Sequence, residues 1–504
     1  MSGSRTIVAR AAAVGLVGGV IGATTNLVLA VLVGHALGAA GAGPFFQVMA
    51  VVAIASNVLE LGADTGLVRQ VSAALALGRG DHVCGLVRIA AVPVGIAVTA
   101  AVAAGALAAP RLEDLAGGGR GWVVTVAAAS GLTALLGVLL GAVRAMSSAV
   151  AVTLVQNVAL PLARLGLVAL CVATGSWRPV AVAWLAPLPA ALLVAALLLV
   201  RAERRHRGPR PTAAPTPAER REFWAFSAPR GVGAAAEICL EWADVLIVGA
   251  LCSPAAAGVY AVVTRAARSA ELVQQASRLA VGPVISAALA QGRLAAVRRL
   301  HHDVALGTAL LSWPFFVIAA YFAPALLGLF GPDFTAGATA LRILCLGLAL
   351  SYAAGGVQSI LLMGGRSRAQ LGNKVACLVV NVGLNLALDP RFGIVGAATA
   401  WAVVLVLDTA MAWLQILVGM RLRLALRPAY VAGTGVAVAT TGLCLVADTW
   451  AGPVVAMFAA AVAVLVLGAA ATTAALRTSV PPYRRRRPSS RSEARRIGDV
   501  GKAL

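Results

Sequence analysis

Apolar stretches of about 20 residues follow one another along almost the whole chain, each long enough to cross a hydrocarbon layer of about 30 Å. No water-soluble core absorbs that much apolar surface. The runs are continuous and rich in Ala, Leu, Val and Gly. Barrel strands would instead alternate polar and apolar over about 10 residues, so the runs read as helices that satisfy their own backbone groups. Composition agrees: 12% of the residues are charged and 60% hydrophobic, where a soluble domain carries about 25% charged residues.

Fourteen spans are expected, at 11–37, 44–68, 87–109, 121–143, 149–174, 179–200, 224–250, 256–288, 304–329, 337–363, 370–388, 393–419, 429–447 and 452–476. The first follows Arg5 and Arg10 as a signal sequence would, but exceeds a 7 to 15 residue apolar core and reads as a retained span. The charge of +22 sits in short loops between spans, which argues for membrane orientation and against nucleic acid. Loops assigned to the inside hold 31 Lys and Arg against 4 outside (Arg111, Arg120, Arg178 and Arg391). Both termini are therefore expected in the cytoplasm, with the inner loops and the RRRR-containing tail against anionic lipid.

An internal repeat organises the spans. SAALALGR at 72–79 returns as SAALAQGR at 286–293, and VLVGHALGAAGAG at 31–43 aligns with LIVGALCSPAAAG at 246–258. The offset of 214 to 215 residues equals six spans, so the seventh should duplicate the first with unchanged orientation. The expected fold class is an all-α polytopic membrane protein with two parallel six-helix lobes around a central cavity and two C-terminal helices. The expected domains are an N-lobe at 1–200, a basic cytoplasmic linker at 201–223 and a C-lobe at 224–420. Extra spans occupy 421–477, and 478–504 form a disordered basic tail.

Chemistry is scarce. No GxxxxGK[ST], HExxH, CxxC or GxSxG occurs, and the outer loops are at most about a dozen residues, so neither an enzyme nor a cofactor or metal site is expected. The seven scattered cysteines read as small apolar fillers. Ionisable residues inside spans remain, each costing about 2.5 to 3.5 kcal/mol at mid-bilayer. Arg230, Glu237, Glu241 and Asp244 share one face of span seven; Arg265, Arg268, Glu271, Gln275 and Arg278 share one face of span eight. Counting about 1.5 Å per residue from the outer ends pairs Glu241 with Arg265 and Glu237 with Arg268. The bland reading is mutual neutralisation; the functional one is a wet cavity whose cations receive an anionic headgroup. Glu60 and Asp64 lie near the inner end of span two, Arg164, Arg342 and Asp408 are isolated charges, and His301 and His302 are expected to be solvated.

Three stretches carry a family resemblance: Gly34 to Gly80, with Asp64, Gly66 and Leu67; Glu241 to Val273, with Asp244; and Leu329 to Ala402, ending in DPRFGIVGAA. They resemble the polysaccharide-transporter family, the lipid-linked oligosaccharide flippases of the multidrug/oligosaccharidyl-lipid/polysaccharide (MOP) exporter superfamily. The resemblance implies lobes that rock about a cavity and move an undecaprenyl-pyrophosphate-linked glycan between leaflets of a bacterial cell membrane, alongside a glycan polymerase or glycosyltransferases. Headgroup contacts would then fall to Arg265, Arg268, Arg278, Arg230 and Arg342. Ion coupling or ion pairing would fall to Glu237, Glu241, Asp244, Glu271, Glu60 and Asp64. A lipid II flippase and a cation-coupled drug exporter of the same superfamily stand as alternatives, as does a membrane-embedded glycan polymerase or glycosyltransferase.

Overall fold

The computed structural model describes residues 2–116, 119–146, 149–206, 216–269 and 291–479, and between 269 and 291 only 274, 281–282 and 284–289. Glu271, Gln275 and Arg278, residues 207–215 of the linker and the tail from 480 lie outside the described residues. No strand occurs among those described. The N-terminal half comprises α1 (Ser2–Glu60), α2 (Ala63–Ala76), α3 (Val83–Ala116) and α4 (Arg120–Met146). It continues through α5 (Ala149–Thr153), α6 (Leu160–Cys171), α7 (Trp177–Leu185) and α8 (Leu188–His206). The C-terminal half comprises α9 (Pro217–Leu251), α10 (Pro254–Arg268), α11 (Leu294–Tyr321), α12 (Ala323–Gly328), α13 (Ala338–Ala353) and α14 (Val357–Met363). It ends with α15 (Ser367–Phe392), α16 (Ile394–Gly419), α17 (Arg427–Trp450) and α18 (Pro453–Ser479).

Ten of the described helices are long and apolar enough to cross a membrane by themselves. One of them, Val17–Glu60, is 44 residues long and is two spans. At Gly38 φ is 60° and ψ −175°, a conformation that side chains with a Cβ avoid, and there the chain reverses. Residues 23–29 before the break and 46–53 after it line one cavity, as the two arms of a hairpin must. Adding α9, α10 and α18, the helices follow the fourteen expected spans in order. α9 is not among the ten because its span carries the charges on which the site is built.

The repeat is visible as contact. A Cβ on Gly43 would run into the Pro254 carbonyl and the Gly258 amide, while one on Gly258 would run into the Ala39 carbonyl and Gly43. Ala39 and Gly43 are the equivalents of Pro254 and Gly258 at the offset of 215, so the same pair of positions meets itself across a pseudo-twofold axis. This seam, at the end expected to face outside and called the outer seam below, is extended by Asp333, whose Oδ2 accepts the Ala39 N–H (3.1 Å) that the Gly38 break releases. At the opposite ends, expected inside, Gly62 and Gly66 pack on Ser227 and Gly231 of α9, Arg69 stacks on Phe226 (4.2 Å), and His82 Nδ1 meets Glu219 Oε1 (3.0 Å). The Thr216 backbone N–H, the Thr216 hydroxyl and His82 hold the Glu219 carboxyl below its ordinary range.

Spans two and ten break at residues of positive φ where the sequence reading has them continuous. Span two is interrupted at Leu61 (φ 55°) and Gly62 (φ 72°), between Glu60 and Asp64, because Gly62 must approach the α9 backbone there. Span ten is interrupted at Gly355 and Gly356, and the carbonyls near the break are capped from neighbouring spans. His301 contacts Ala354 O (2.9 Å), Thr308 donates to Tyr352 O (3.1 Å), Trp313 to Ala349 O (3.0 Å) and Tyr430 to Leu350 O (2.8 Å). His301 is thus 1% exposed and not solvated as expected: a carbonyl loosened inside a bilayer needs a donor. Tyr430 and Gly433, packed on the Trp313 ring, tie span thirteen to this break.

Candidate functional site

A cavity of about 610 Å³ lies between the lobes, inward of the outer seam. Spans one and two contribute Asn26, Phe46 and Met49, spans five and six Arg164 and Trp184, and α9 and α10 Glu241, Trp242, Thr264, Arg265 and Arg268. Each guanidinium is carried by an aromatic face. Arg164 lies over Trp184 (4.0 Å) and donates to its carbonyl through Nε (3.2 Å). Arg265 lies over Phe46 (4.1 Å) and Trp242 (4.9 Å) and donates to Ala261 O (2.8 Å); Arg268 faces Trp401 (5.8 Å). Stacking fixes the plane of a guanidinium without itself consuming the in-plane donors. Among the described residues Glu241 is the one carboxylate in the lining, with Oε1 2.6 Å from Arg268 Nη1.

The observed ion pair corrects the expected register. Arg268 meets Glu241, one turn outward of Glu237, and Arg265 takes aromatic partners in place of Glu241. The face assigned to span seven also divides by depth. Arg230 and Glu237 are exposed and do not line the cavity, and Asp244 turns away from it. Arg342 is exposed, donates to Ala320 O (3.2 Å) and is not in the lining, whose described C-lobe residues come from α9, α10 and the adjoining Ser269. Arg164, left in the sequence as an isolated charge, supplies the N-lobe's guanidinium. Asp408 is paired, accepting from Lys374 (2.9 Å) and Gln358 (3.1 Å). Glu60 packs against Gly137 of α4, within electrostatic reach of Asp64 and Arg144 and outside the lining.

Asp244 belongs to a second polar cluster in the outer half of the C-lobe. It is 3% exposed, accepts from Tyr260 Oη (3.0 Å) and Asn385 Nδ2 (3.2 Å), and is coupled electrostatically to Asp389. Asp389 is 1% exposed, and both its carboxylate oxygens, together with Asn385 Oδ1 and the Asn381 amide, are buried without a hydrogen-bond partner. Two buried carboxylates facing amide oxygens are a donor set for a hard monovalent cation or a proton. The sequence signal was present: Asn381, Asn385 and Asp389 recur every fourth residue on an otherwise apolar span.

Comparison with known proteins fits this arrangement. The sequence profile of the polysaccharide biosynthesis protein family matches residues 8–288, more than half of the chain. The chain belongs to that family. No curated protein sequence matches this chain. Its fold is that of MOP-superfamily proteins. The lipid II flippase MurJ in an inward closed conformation superposes with a TM-score of 0.70 at 10% identity, covering 91% of this chain and 98% of that one. An inward-facing multidrug-resistance MATE transporter of the MOP superfamily gives 0.63 at 14% identity, over 79% and 94%. A MOP-superfamily transporter from Pyrococcus furiosus, described by the reversed polarity of its binding pocket, gives 0.55 at 14%, over 82% and 95%.

Proposed function

We propose that this family member is a flippase. It moves an undecaprenyl-pyrophosphate-linked oligosaccharide from the inner to the outer leaflet of a bacterial cell membrane by alternating access, for cell-surface polysaccharide biosynthesis. Both termini are cytoplasmic. One observation carries the reading: three guanidiniums, Arg164 from one lobe and Arg265 and Arg268 from the other, surround one cavity whose lining, among the described residues, holds a single carboxylate. The surplus of two positive charges matches a pyrophosphate diester, which carries two negative charges, and forked donors suit its oxygens. An exporter of organic cations needs the opposite sign. The lipid tail stays in the bilayer while the glycan occupies the wet space between the lobes.

The Asp244–Asp389 cluster supplies the drive in this reading, taking a cation or proton from the outer side. α9 carries both Asp244 and Glu241, so occupancy of the cluster reaches the cavity through one helix. Lipid II presents the same pyrophosphate, and the fourteen spans and the superposition on the lipid II flippase keep it as the second reading. The test is purified protein in vesicles, offered in turn a lipid-linked oligosaccharide, lipid II and a fluorescent organic cation. Movement of the first, lost in Arg164→Gln, is the expected result. Movement of lipid II alone selects the second reading, and movement of the cation alone overturns both.

A further inference from the structure

Glu241 does something the other cavity residues do not: it occupies a guanidinium that the substrate needs. Its carboxylate meets Arg268 at 2.6 Å, within the electrostatic reach of Arg265, in a cavity whose other described charged lining residues are all arginines. The pair is not sealed. The side chains of Arg268 and Glu241 keep 23% and 35% of their exposure, and ion pairs with that much contact to solvent contribute little to folding. A carboxylate placed where it adds little stability and opposes an anionic ligand calls for a functional reason.

Resting on the flippase reading above, we infer that Glu241 is an internal competitor of the substrate's phosphate for Arg268. A carboxylate and a phosphate oxygen accept from the same guanidinium fork, so the two exclude each other there. In the empty cavity Glu241 neutralises Arg268 and holds it facing Trp401, ready and oriented. An arriving pyrophosphate displaces the carboxylate, and no covalent bond changes. After the lobes reorient, Glu241 is still tethered on α9, at high local concentration, and its return to Arg268 expels the headgroup on the far side. Three guanidiniums without such a rival would bind a dianion tightly and release it slowly, and transport requires release. Glu241 in this account is a positioning residue that sets the balance between affinity and turnover.

The test reads affinity and rate separately. Inorganic pyrophosphate is titrated by calorimetry into the detergent-purified wild type, Glu241→Gln, Glu241→Asp, Arg268→Gln and the Glu241→Gln/Arg268→Gln double variant. Lipid-linked glycan movement is measured in vesicles. Glu241→Gln is expected to bind pyrophosphate about tenfold more tightly and to move the glycan more slowly, with KM and kcat falling together. Glu241→Asp keeps the charge but shortens the reach to Arg268, and is expected to tighten binding in part. In the Arg268→Gln background the Gln substitution at 241 should change affinity by less than about twofold. Unchanged or weaker binding by both Glu241 variants overturns the competitor. Equal tightening with and without Arg268 also overturns it, reducing Glu241 to a contribution to the overall field. Absence of pyrophosphate binding to the wild type itself would instead remove the anion site of the flippase reading.

Discussion

Arg265 separates a residue kept for folding from one kept for a ligand. Replacing it with Gln removes the bond to the Ala261 carbonyl (2.8 Å) and the stacking on Phe46 and Trp242. At about 1 kcal/mol for the hydrogen bond and about 0.5 to 1 kcal/mol for each ring, these interactions together contribute about 2 to 3 kcal/mol. Against this stands the relief of holding a charge inside the bilayer, about 2.5 to 3.5 kcal/mol at its centre. The two nearly cancel, so Arg265→Gln should melt within a few degrees of the wild type. Binding behaves differently. A charge-assisted contact to a phosphate is worth about 1.5 to 3 kcal/mol, so pyrophosphate affinity should fall by about 10- to 100-fold. Arg265→Lys keeps the charge but loses the fork and should recover only part of the affinity. The assays are calorimetric titration with pyrophosphate and thermal unfolding followed by tryptophan fluorescence. A large fall in melting temperature with normal affinity would refute the reasoning and assign Arg265 to packing.

Asp244→Asn and Asp389→Asn should each remove the dependence of glycan movement on an imposed sodium or proton gradient while leaving pyrophosphate affinity within about twofold of the wild type, since the cluster lies outside the cavity lining. Loss of pyrophosphate binding in both would place the cluster in the headgroup site instead. Gly43→Leu drives a side chain into the Pro254 carbonyl and the Gly258 amide of the outer seam. In a background with the exposed Cys252 replaced by Ser, it should raise labelling of a Thr264→Cys variant by a membrane-impermeant thiol reagent applied outside; unchanged labelling would mean that the seam is not the gate.

The fold was legible because lipid simplifies the grammar: length and apolarity are enough to place fourteen spans, and an offset of 215 residues carries the symmetry that Gly43 and Gly258 express as contact. The site was legible only in part. Glu241, Arg265 and Arg268 stand on the expected helices, but one-turn depth estimates assume straight helices entering at equal heights, and the pairing is shifted by a turn to Arg268 and Glu241. Arg342 and Arg164 look alike in sequence, each a lone arginine in an apolar span. Only packing shows that span five borders the cavity and span ten does not. The breaks at Leu61 and Gly355 escape a sequence reading because a glycine within an apolar run is commonplace in membrane helices, and the donors that cap the second break come from residues distant in sequence.

The two polar centres of the C-lobe are joined by the two helices they share. On α9, Glu241 faces the cavity and Asp244, less than one turn further along, faces the buried cluster; on α10, Tyr260 bonds Asp244 while Arg265 and Arg268 line the cavity. The remaining members of the cluster, Asn381, Asn385 and Asp389, stand on α15, which packs on α9. In the proposed mechanism a cation at Asp389 would draw α15 and α9 together around one charge, and α9 could not shift without carrying Glu241 with it. The same helix forms the inner seam through Ser227 and Gly231, whose contact with Gly62 and Gly66 leaves no slack for independent movement. Cation binding, the guanidinium that Glu241 occupies and the inner closure are thus three readings of the position of α9. A substrate that displaces Glu241 acts on that position from the other side, which is the reciprocity that coupled transport requires.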